Sequence, residues 1–112
     1  MSVFYVVQWT AIRERLPELQ QALTRLQEHV RLEHPSVRSA RSFRVQWGGE
    51  PARPGFIWME EYESLTAIDE SDRLESTPAC DEVWASIYDC AVAGTIVTGL
   101  WRSEGQEEWF AR

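Results

Sequence analysis

The order of apolar patterns along the chain restricts its fold more than any other feature. Apolar, β-branched and aromatic runs typical of strands alternate with apolar stripes at spacings of three and four, which are typical of helices. The predicted order is strand 3–9, helix 13–33, strand 37–47, strand 56–62, helix 78–93 and strand 95–102. Right-handed connections through the helices place four antiparallel strands in one sheet with both helices on one face. The sequence therefore predicts a ferredoxin-like α+β fold of the βαββαβ type.

The length of the chain fits one domain. At 112 residues there is room for one hydrophobic core and no second domain. We assign residues 1–104 to the domain and residues 105–112 to a C-terminal tail. Residues 48–55 are rich in glycine and proline and predict the connection between the two middle strands.

Proline, glycine and capping residues predict where the helices begin and end. Pro35 ends the first helix, because the residue before a proline is pushed out of the helical region. Ser64 opens a short helical stretch, which a polar break follows. Thr77 and Pro78 have the chemistry of an N-cap and a first helical residue, and Gly94 predicts the end of that last helix at residue 93.

The two cysteines are predicted to be free. Cys80 and Cys90 lie ten residues apart on one predicted helix, which separates them by about 15 Å along the axis. That distance is too long for a disulfide bond. We expect both to be buried thiols.

One face of the predicted sheet has no helix to cover it. The first and third strands carry apolar or aromatic groups on both faces, so much apolar surface stays open. A second copy of the chain would cover this surface, and we predict a homodimer. The alternative is that the open face binds a different partner. Residues 107–110 of the tail can also pack across a partner.

Charge and hydropathy restrict the partners. The formal net charge is -7, from 18 acidic and 11 basic residues, and all the basic residues are arginines. Such a chain repels phosphate backbones, so no nucleic-acid partner is expected. No run is long and apolar enough for a membrane span, and no signal peptide is recognisable. We expect a cytoplasmic protein without membrane contact.

A ten-residue motif resembles a known family. Residues 56–65 read FIWMEEYESL, which is similar to the same strand in the dimeric α+β barrel superfamily, above all its antibiotic-biosynthesis monooxygenase and NIPSNAP-like branches. Glu60 and Tyr62 occupy the glutamate and aromatic places of that motif, and the helix around Trp84 is also similar. The resemblance implies a barrel of two sheets and a pocket between sheet and helices, used for cofactor-free oxygenation, cyclisation, isomerisation or ligand binding.

The chain departs from that family pattern in two places. Many members carry a histidine in the helix after this strand, where this chain has Asp69 and Glu70. This departure removes the residue that would ligate haem or act as a histidine base. A glycine that often precedes the first helix is replaced by residues 13–15, which changes the turn and not the chemistry.

Glu60 is the first candidate for catalysis. A carboxylate placed mid-strand between aromatic residues is desolvated, which raises its pKa and suits a general base. Tyr62 is the second candidate, as the group that orients the substrate. The alternative is a structural role in which Glu60 forms an ion pair with Arg41 or Arg44 of a neighbouring strand.

Aromatic residues predict a pocket for a small aromatic or polycyclic ligand. Trp58, Trp84 and Tyr88 can line one cavity if the third strand packs on the last helix. Gln8 and Arg44 complete the set of candidate substrate contacts, because Gln8 is a polar residue in an otherwise apolar strand. The alternative for the aromatic residues is an ordinary hydrophobic core.

No metal or cofactor site is predicted. His29 and His34 are five residues apart, which does not place them on one helix face, and no cysteine or acidic ligand pattern accompanies them. The sequence also has no nucleophile elbow and no glycine-rich phosphate loop.

The favoured function is a small-molecule enzyme. We expect cofactor-independent oxygenation, or cyclisation or isomerisation, of an aromatic or polyketide-like substrate in secondary metabolism. The alternative is a non-catalytic homodimer that binds a small ligand or serves as a structural component. A more distant alternative is an RNA-recognition-like module, because residues 55–62 loosely resemble the ribonucleoprotein octamer. The acidic charge of the chain argues against that last reading.

Overall fold

The structure is a computed structural model that describes residues 2–45, 54–75 and 77–103, without the side chains of 71–75. A short 3-10 turn, Arg13–Arg15, precedes the first helix. The regular elements are β1 (Val3–Thr10), α1 (Leu16–Glu33), β2 (Val37–Arg44), β3 (Gly55–Tyr62), α2 (Leu65–Glu75), α3 (Pro78–Tyr88) and β4 (Val97–Arg102). This order confirms the predicted ferredoxin-like α+β fold.

The sheet has β1 and β3 at its centre. Within the described residues it contains four antiparallel strands in the order β2-β3-β1-β4. The helical segments connect β1 to β2 and β3 to β4, which are not neighbours in the sheet, so they cross one face of the sheet and leave the other face open. The arrangement confirms the predicted topology.

The core lies between the sheet and the apolar stripe of α1. The stripe consists of Leu19, Ala22, Leu23, Leu26 and Val30, all buried. It packs on Val7, Trp9, Phe56 and Trp58 from the two central strands. The rings of Trp9 and Phe56 stack with centroids 5.9 Å apart. Burial of this stripe holds α1 on the sheet, since most of the stability of a helix in a protein comes from packing of its apolar face.

The alternation of β3 divides its residues between the two faces of the sheet. Phe56, Trp58, Glu60 and Tyr62 are buried towards the helices, while the residues between them face the open side. The β1 register places Val3, Tyr5, Val7 and Trp9 directly opposite them, and so on the same face. A single strand therefore supplies both the core tryptophan and the candidate carboxylate.

Helices α1 and α3 run antiparallel on this face. At one end, the Arg15 guanidinium donates a hydrogen bond to the Asp89 carbonyl oxygen over 3.0 Å. At the other end, the last residues of α1 lie beside the first turn of α3. The predicted cap of α3 is present, because the Thr77 hydroxyl accepts a hydrogen bond from the Cys80 N–H at 3.2 Å.

The predicted end of α3 was wrong. The helix ends at Tyr88, five residues before the predicted boundary. Ala91 instead forms a bridge with Ala11, and the Val92 N–H bonds the Thr10 carbonyl oxygen at 2.8 Å. These backbone bonds to the end of β1 compete with helical ones. Gly94, with φ of 80°, then turns the chain towards β4.

The ends of α2 and β2 also differ from the predicted ends, and some predicted segments lie outside the described residues. Helix α2 extends to Glu75, beyond the short stretch that the sequence predicted. Strand β2 ends at Arg44. The predicted residues 46 and 47 of that strand, most of the connecting segment and the tail 105–112 lie outside the described residues. Among the described helices, none combines the length and apolar character needed to cross a membrane.

Candidate active site

Glu60 is buried and held by two hydrogen bonds from its own strand. Its side chain is 6% exposed, on the helix-covered face of β3. The Trp58 indole N–H donates to Oε1 and the Tyr62 hydroxyl donates to Oε2, each over 2.9 Å. Both donors are uncharged and buried, and together they orient both oxygens of the carboxylate. This is the arrangement of a fixed carboxylate, not of a side chain that samples solvent.

Aromatic rings connect this carboxylate to the surface. Trp58, which is fully buried, contacts the edge of Trp84 with centroids 6.3 Å apart. Trp84 in turn contacts Tyr88, whose side chain is 41% exposed. The rings lie in the order Trp58, Trp84, Tyr88 from core to solvent. The structure therefore brings together five of the predicted residues, namely Trp58, Glu60, Tyr62, Trp84 and Tyr88.

Cys80 lies close enough to Glu60 to interact with it electrostatically. Burial raises the pKa of the Cys80 thiol most, and the negative charges of Glu60 and Asp81 raise it further. Burial also raises the pKa of Tyr88, with a smaller contribution from Cys80. The site is thus a low-dielectric region, because burial is the largest cause of the raised pKa of both Cys80 and Tyr88.

Two predicted contacts lie elsewhere. Gln8 pairs with Ile57 and Val97 in the sheet, and this register places its side chain on the open face. Arg44 lies opposite Phe56, with its guanidinium carbon 6.0 Å from that ring centroid. Phe56 is four residues from Glu60, or about 13 Å along the strand. The structure does not bring Gln8 or Arg44 to the carboxylate.

The open face explains why Arg41 does not contact Glu60. Arg41 pairs with Met59, so its side chain lies on the side of the sheet opposite Glu60. The carboxylate on that face is Glu61, which accepts hydrogen bonds from Ser2 at 2.6 Å and Ser39 at 3.0 Å. Adjacent glutamates of one strand thus have different partners because successive side chains alternate between faces.

The open face also forms a cleft. Its volume is about 570 Å³. The aromatic and apolar part of the lining comes from Phe4, Phe43, Met59 and Trp101. Phe43 and Trp101 are exposed. This surface has the apolar character that the sequence predicted for the uncovered face.

Three residues near the site were not predicted as a group. His29, His34 and Cys80 have ligand-type atoms within 4.8 Å of one another. The argument from helix faces does not apply to them, because α1 ends at Glu33 and His34 lies beyond it. No pattern within one element indicates this group, because only the packing of the helices places the end of α1 beside the start of α3. Both cysteines are free, with Cys90 buried and Cys80 half-buried.

Known structures share this fold. No protein-family model matches the chain, and no curated protein does. SnoaB from Streptomyces nogalater, a cofactor-independent oxygenase, is similar with a TM-score of 0.70 and 12% identity, over 95% of this chain and 96% of SnoaB. A Caulobacter crescentus protein described as a candidate antibiotic biosynthesis monooxygenase has a TM-score of 0.70 and 14% identity, with 93% and 91% covered.

A third structure has no assigned activity. It is a dimeric ferredoxin-like protein of unknown function from Jannaschia, with a TM-score of 0.67 and 12% identity. The match covers 92% of this chain and all of that protein. At these identities the likeness establishes the fold, and it confirms the resemblance first seen in residues 56–65. The chain therefore has the ferredoxin-like fold of the antibiotic biosynthesis monooxygenase and dimeric α+β barrel structures.

Proposed function

We propose that this protein is a small-molecule enzyme in which Glu60 acts as a general base on a planar aromatic or polyketide-like substrate. The observation that carries the proposal is the buried carboxylate with both oxygens oriented by neutral donors. Burial of a carboxylate costs free energy, and buried titratable groups of this kind are concentrated at functional sites. The similarity to a cofactor-independent oxygenase supports the same reaction class.

The chemistry begins with one proton transfer. Glu60 removes a proton from an acidic C–H or phenolic O–H of the substrate, and the electron pair stays on the substrate as a delocalised anion. In an oxygenation, that anion reduces O₂, so that a methylene becomes a carbonyl and the second oxygen atom leaves as water. In an isomerisation, the proton returns to a different carbon. Both routes use the same base and require no protein-bound cofactor.

Trp58 and Tyr62 act as positioning residues in this proposal. Their donors orient the carboxylate, and a base is effective only when it lies within hydrogen-bond reach of the proton it removes. The rings of Trp84 and Tyr88 provide flat surfaces between Glu60 and solvent, which suit a planar ligand. Gln8 and Arg44 have no part in this arrangement, because the strand register places both of them away from Glu60.

The open face is proposed as the contact with a second copy. Phe43, Val97 and Trp101 are exposed on it, with Phe4 and Met59 beside them. A face-to-face pair of sheets would bury these groups and the Gln8 amide, and would form the barrel of the dimeric α+β proteins. The dimeric Jannaschia structure of the same fold supports this assembly.

The orientation of the aromatic side chains of β3 argues against an RNA-binding role. RNA-recognition domains stack bases on aromatic residues of the open sheet face. Here the aromatic residues of β3 lie towards the helices, and the open face of that strand offers Ile57, Met59 and Glu61. The net charge of -7 also disfavours phosphate.

A proton-exchange assay tests the base directly. The probe is a dihydroxyanthrone, a planar tricyclic compound with an acidic methylene. Deuterium incorporation from the solvent under anaerobic conditions reports proton removal, and aerobic conversion to the quinone reports oxygenation. We expect Glu60→Gln to slow exchange by on the order of 100-fold or more, the usual contribution of a general base.

Glu61→Gln is the matched control. It changes the neighbouring carboxylate on the other face of the same strand, and exchange is expected to continue at the wild-type rate. Equal exchange rates in Glu60→Gln and the wild type would remove Glu60 from the mechanism. A probe that native mass spectrometry finds bound, but that exchanges no faster than in buffer, would favour non-catalytic ligand binding.

A further inference from the structure

Both histidines of the chain meet one of its two cysteines beside the candidate site. His29, His34 and Cys80 each offer one ligand atom, and these atoms lie within 4.8 Å of one another. The imidazole rings have centroids 5.2 Å apart and planes inclined by 62°. All three side chains are half-buried. No other group of three or more such side chains occurs among the residues that the structure describes.

The fold brings these residues together from the end of α1 and the start of α3. His29 belongs to the last turns of α1, and His34 follows at its C-cap, where φ of -123° and ψ of 74° turn the chain out of the helix. Cys80 lies in the first turn of α3, fixed by its N–H bond to Thr77. Because the two helices are antiparallel, their adjacent ends converge. The cluster is therefore built by helix packing and not by a flexible loop.

The ligand types select a class of metal ion. Imidazole nitrogen and thiolate sulfur are ligands for Zn²⁺ and similar first-row ions, whereas Mg²⁺ and Ca²⁺ require oxygen. A tetrahedral Zn²⁺ site with Zn–N of about 2.0–2.1 Å and Zn–S of about 2.3 Å needs ligand atoms about 3.3–3.6 Å apart. Separations of at most 4.8 Å exceed that value by no more than about 1.5 Å, a difference that small side-chain rotations can remove.

A buried nitrogen in the cluster lacks a hydrogen-bond partner among the described residues. His29 Nε2 is shielded from solvent, and no hydrogen-bond partner for it occurs within the described parts of the chain. Such buried polar atoms are rare, and a bound ion is one of the standard reasons for them.

We propose that His29, His34 and Cys80 form a binding site for a single Zn²⁺ ion at the junction of α1 and α3. Three protein ligands leave the fourth tetrahedral position to water or to an oxygen atom of a bound molecule. The ion links the end of one helix to the start of the other. Its binding does not depend on the reaction proposed for Glu60.

Cobalt substitution tests the site. Tag-free protein is reduced, freed of metal with a chelator and titrated with Co²⁺, whose bond to thiolate produces a charge-transfer band in the near ultraviolet. We expect the band to saturate at one equivalent and to disappear when Zn²⁺ is added. In Cys80→Ser the band is expected to be absent, and the Zn²⁺ affinity to fall by at least about tenfold, a loss typical even of outer-shell partners.

Cys90→Ser is the matched control, since Cys90 is the other free thiol and lies outside the cluster. This variant is expected to keep the band and the stoichiometry.

Circular dichroism checks the fold of each variant. If Cys80→Ser is unfolded, alkylation by iodoacetamide tests zinc binding instead. Zn²⁺ should protect Cys80 from alkylation in the wild type, and this protection should be lost in His34→Ala. No band in the wild type, a band that survives Cys80→Ser, or alkylation unaffected by Zn²⁺ would overturn the proposal.

Discussion

The Tyr62 hydroxyl donates a hydrogen bond to Glu60 Oε2 over 2.9 Å, between two residues of one strand that point to the same face. Residues two apart on a strand lie side by side on one face, so Tyr62 and Trp58 flank the carboxylate from opposite sides. These two hydrogen bonds to the carboxylate therefore form within β3. The helices supply the burial that gives these bonds their strength.

Removal of the Tyr62 hydroxyl is expected to destabilise the fold. Tyr62→Phe leaves a buried carboxylate oxygen without this donor, and hydrogen bonds to charged groups contribute about 1.5–3 kcal/mol. The free energy of unfolding, measured with urea, should fall by that amount. Tyr88→Phe removes a hydroxyl from a 41% exposed side chain and should change it by less than about 0.5 kcal/mol. Equal values for the two variants would argue against a structural bond at Glu60.

Helix α1 provides a second stability test on one element. Leu26 is fully buried and Leu32 is 61% exposed, although both are leucines of the same helix. Leu26→Ala removes core contacts and leaves a cavity, which costs about 2–5 kcal/mol. Leu32→Ala should stay within about 0.5 kcal/mol of the wild type. A large loss for Leu32→Ala would mean that another surface covers this residue in solution.

Acid stability should depend on Glu61. The Ser2 hydroxyl lowers the pKa of Glu61 most, and Ser39, Arg38 and Arg41 lower it further. A pKa below the unfolded value means that Glu61 stabilises the fold fully above about pH 4.3 and loses this contribution as the pH falls through the folded pKa. Urea unfolding between about pH 6 and about pH 3 should show this decline.

Two serine variants test which hydrogen bond contributes more to this acid dependence. Ser2→Ala should weaken the acid-dependent loss of stability more than Ser39→Ala, since the Ser2 bond has the larger effect and is shorter, 2.6 Å against 3.0 Å. Glu61→Gln should remove the Glu61 contribution altogether. The reverse order of the two serine variants would contradict this account.

The zinc proposal makes a thermal prediction. At free Zn²⁺ about 100-fold above the dissociation constant, binding to the folded state stabilises it by about 2.7 kcal/mol. For a domain of this size the Tm should rise by about 10 °C. The rise should be absent in Cys80→Ser and retained in Cys90→Ser, as scanning calorimetry with and without Zn²⁺ would show. A similar rise in both variants would place the bound ion elsewhere.

Assembly is tested on the open face. Trp101→Asp puts a charge on the exposed apolar surface and should convert the proposed homodimer to monomer. Leu32→Asp is the control, because it places the same charge on an exposed residue of α1. Native mass spectrometry gives the masses of both. Dimers that persist in Trp101→Asp and dissociate in Leu32→Asp would move the interface to the helical face.

The periodic patterns of the sequence determined the order and type of the elements. The stripe of α1 and the alternation of β3 depend on local geometry, in which a helix repeats every 3.6 residues and a strand every two. For the same reason the strand motif placed Glu60 and Tyr62 on one face, where the structure has them. Caps at Ser64 and Thr77 followed from local hydrogen-bonding chemistry.

Contacts between distant parts of the chain depend on the tertiary structure. The early end of α3 depends on the bridge from Ala91 to Ala11, which no local pattern encodes. Sheet register put Gln8 on the open face. Antiparallel helix packing brought Cys80 to the two histidines. Periodicity specifies which face of its own helix or strand a residue occupies. Which residues of other elements it contacts depends on how the elements align when the whole core is buried.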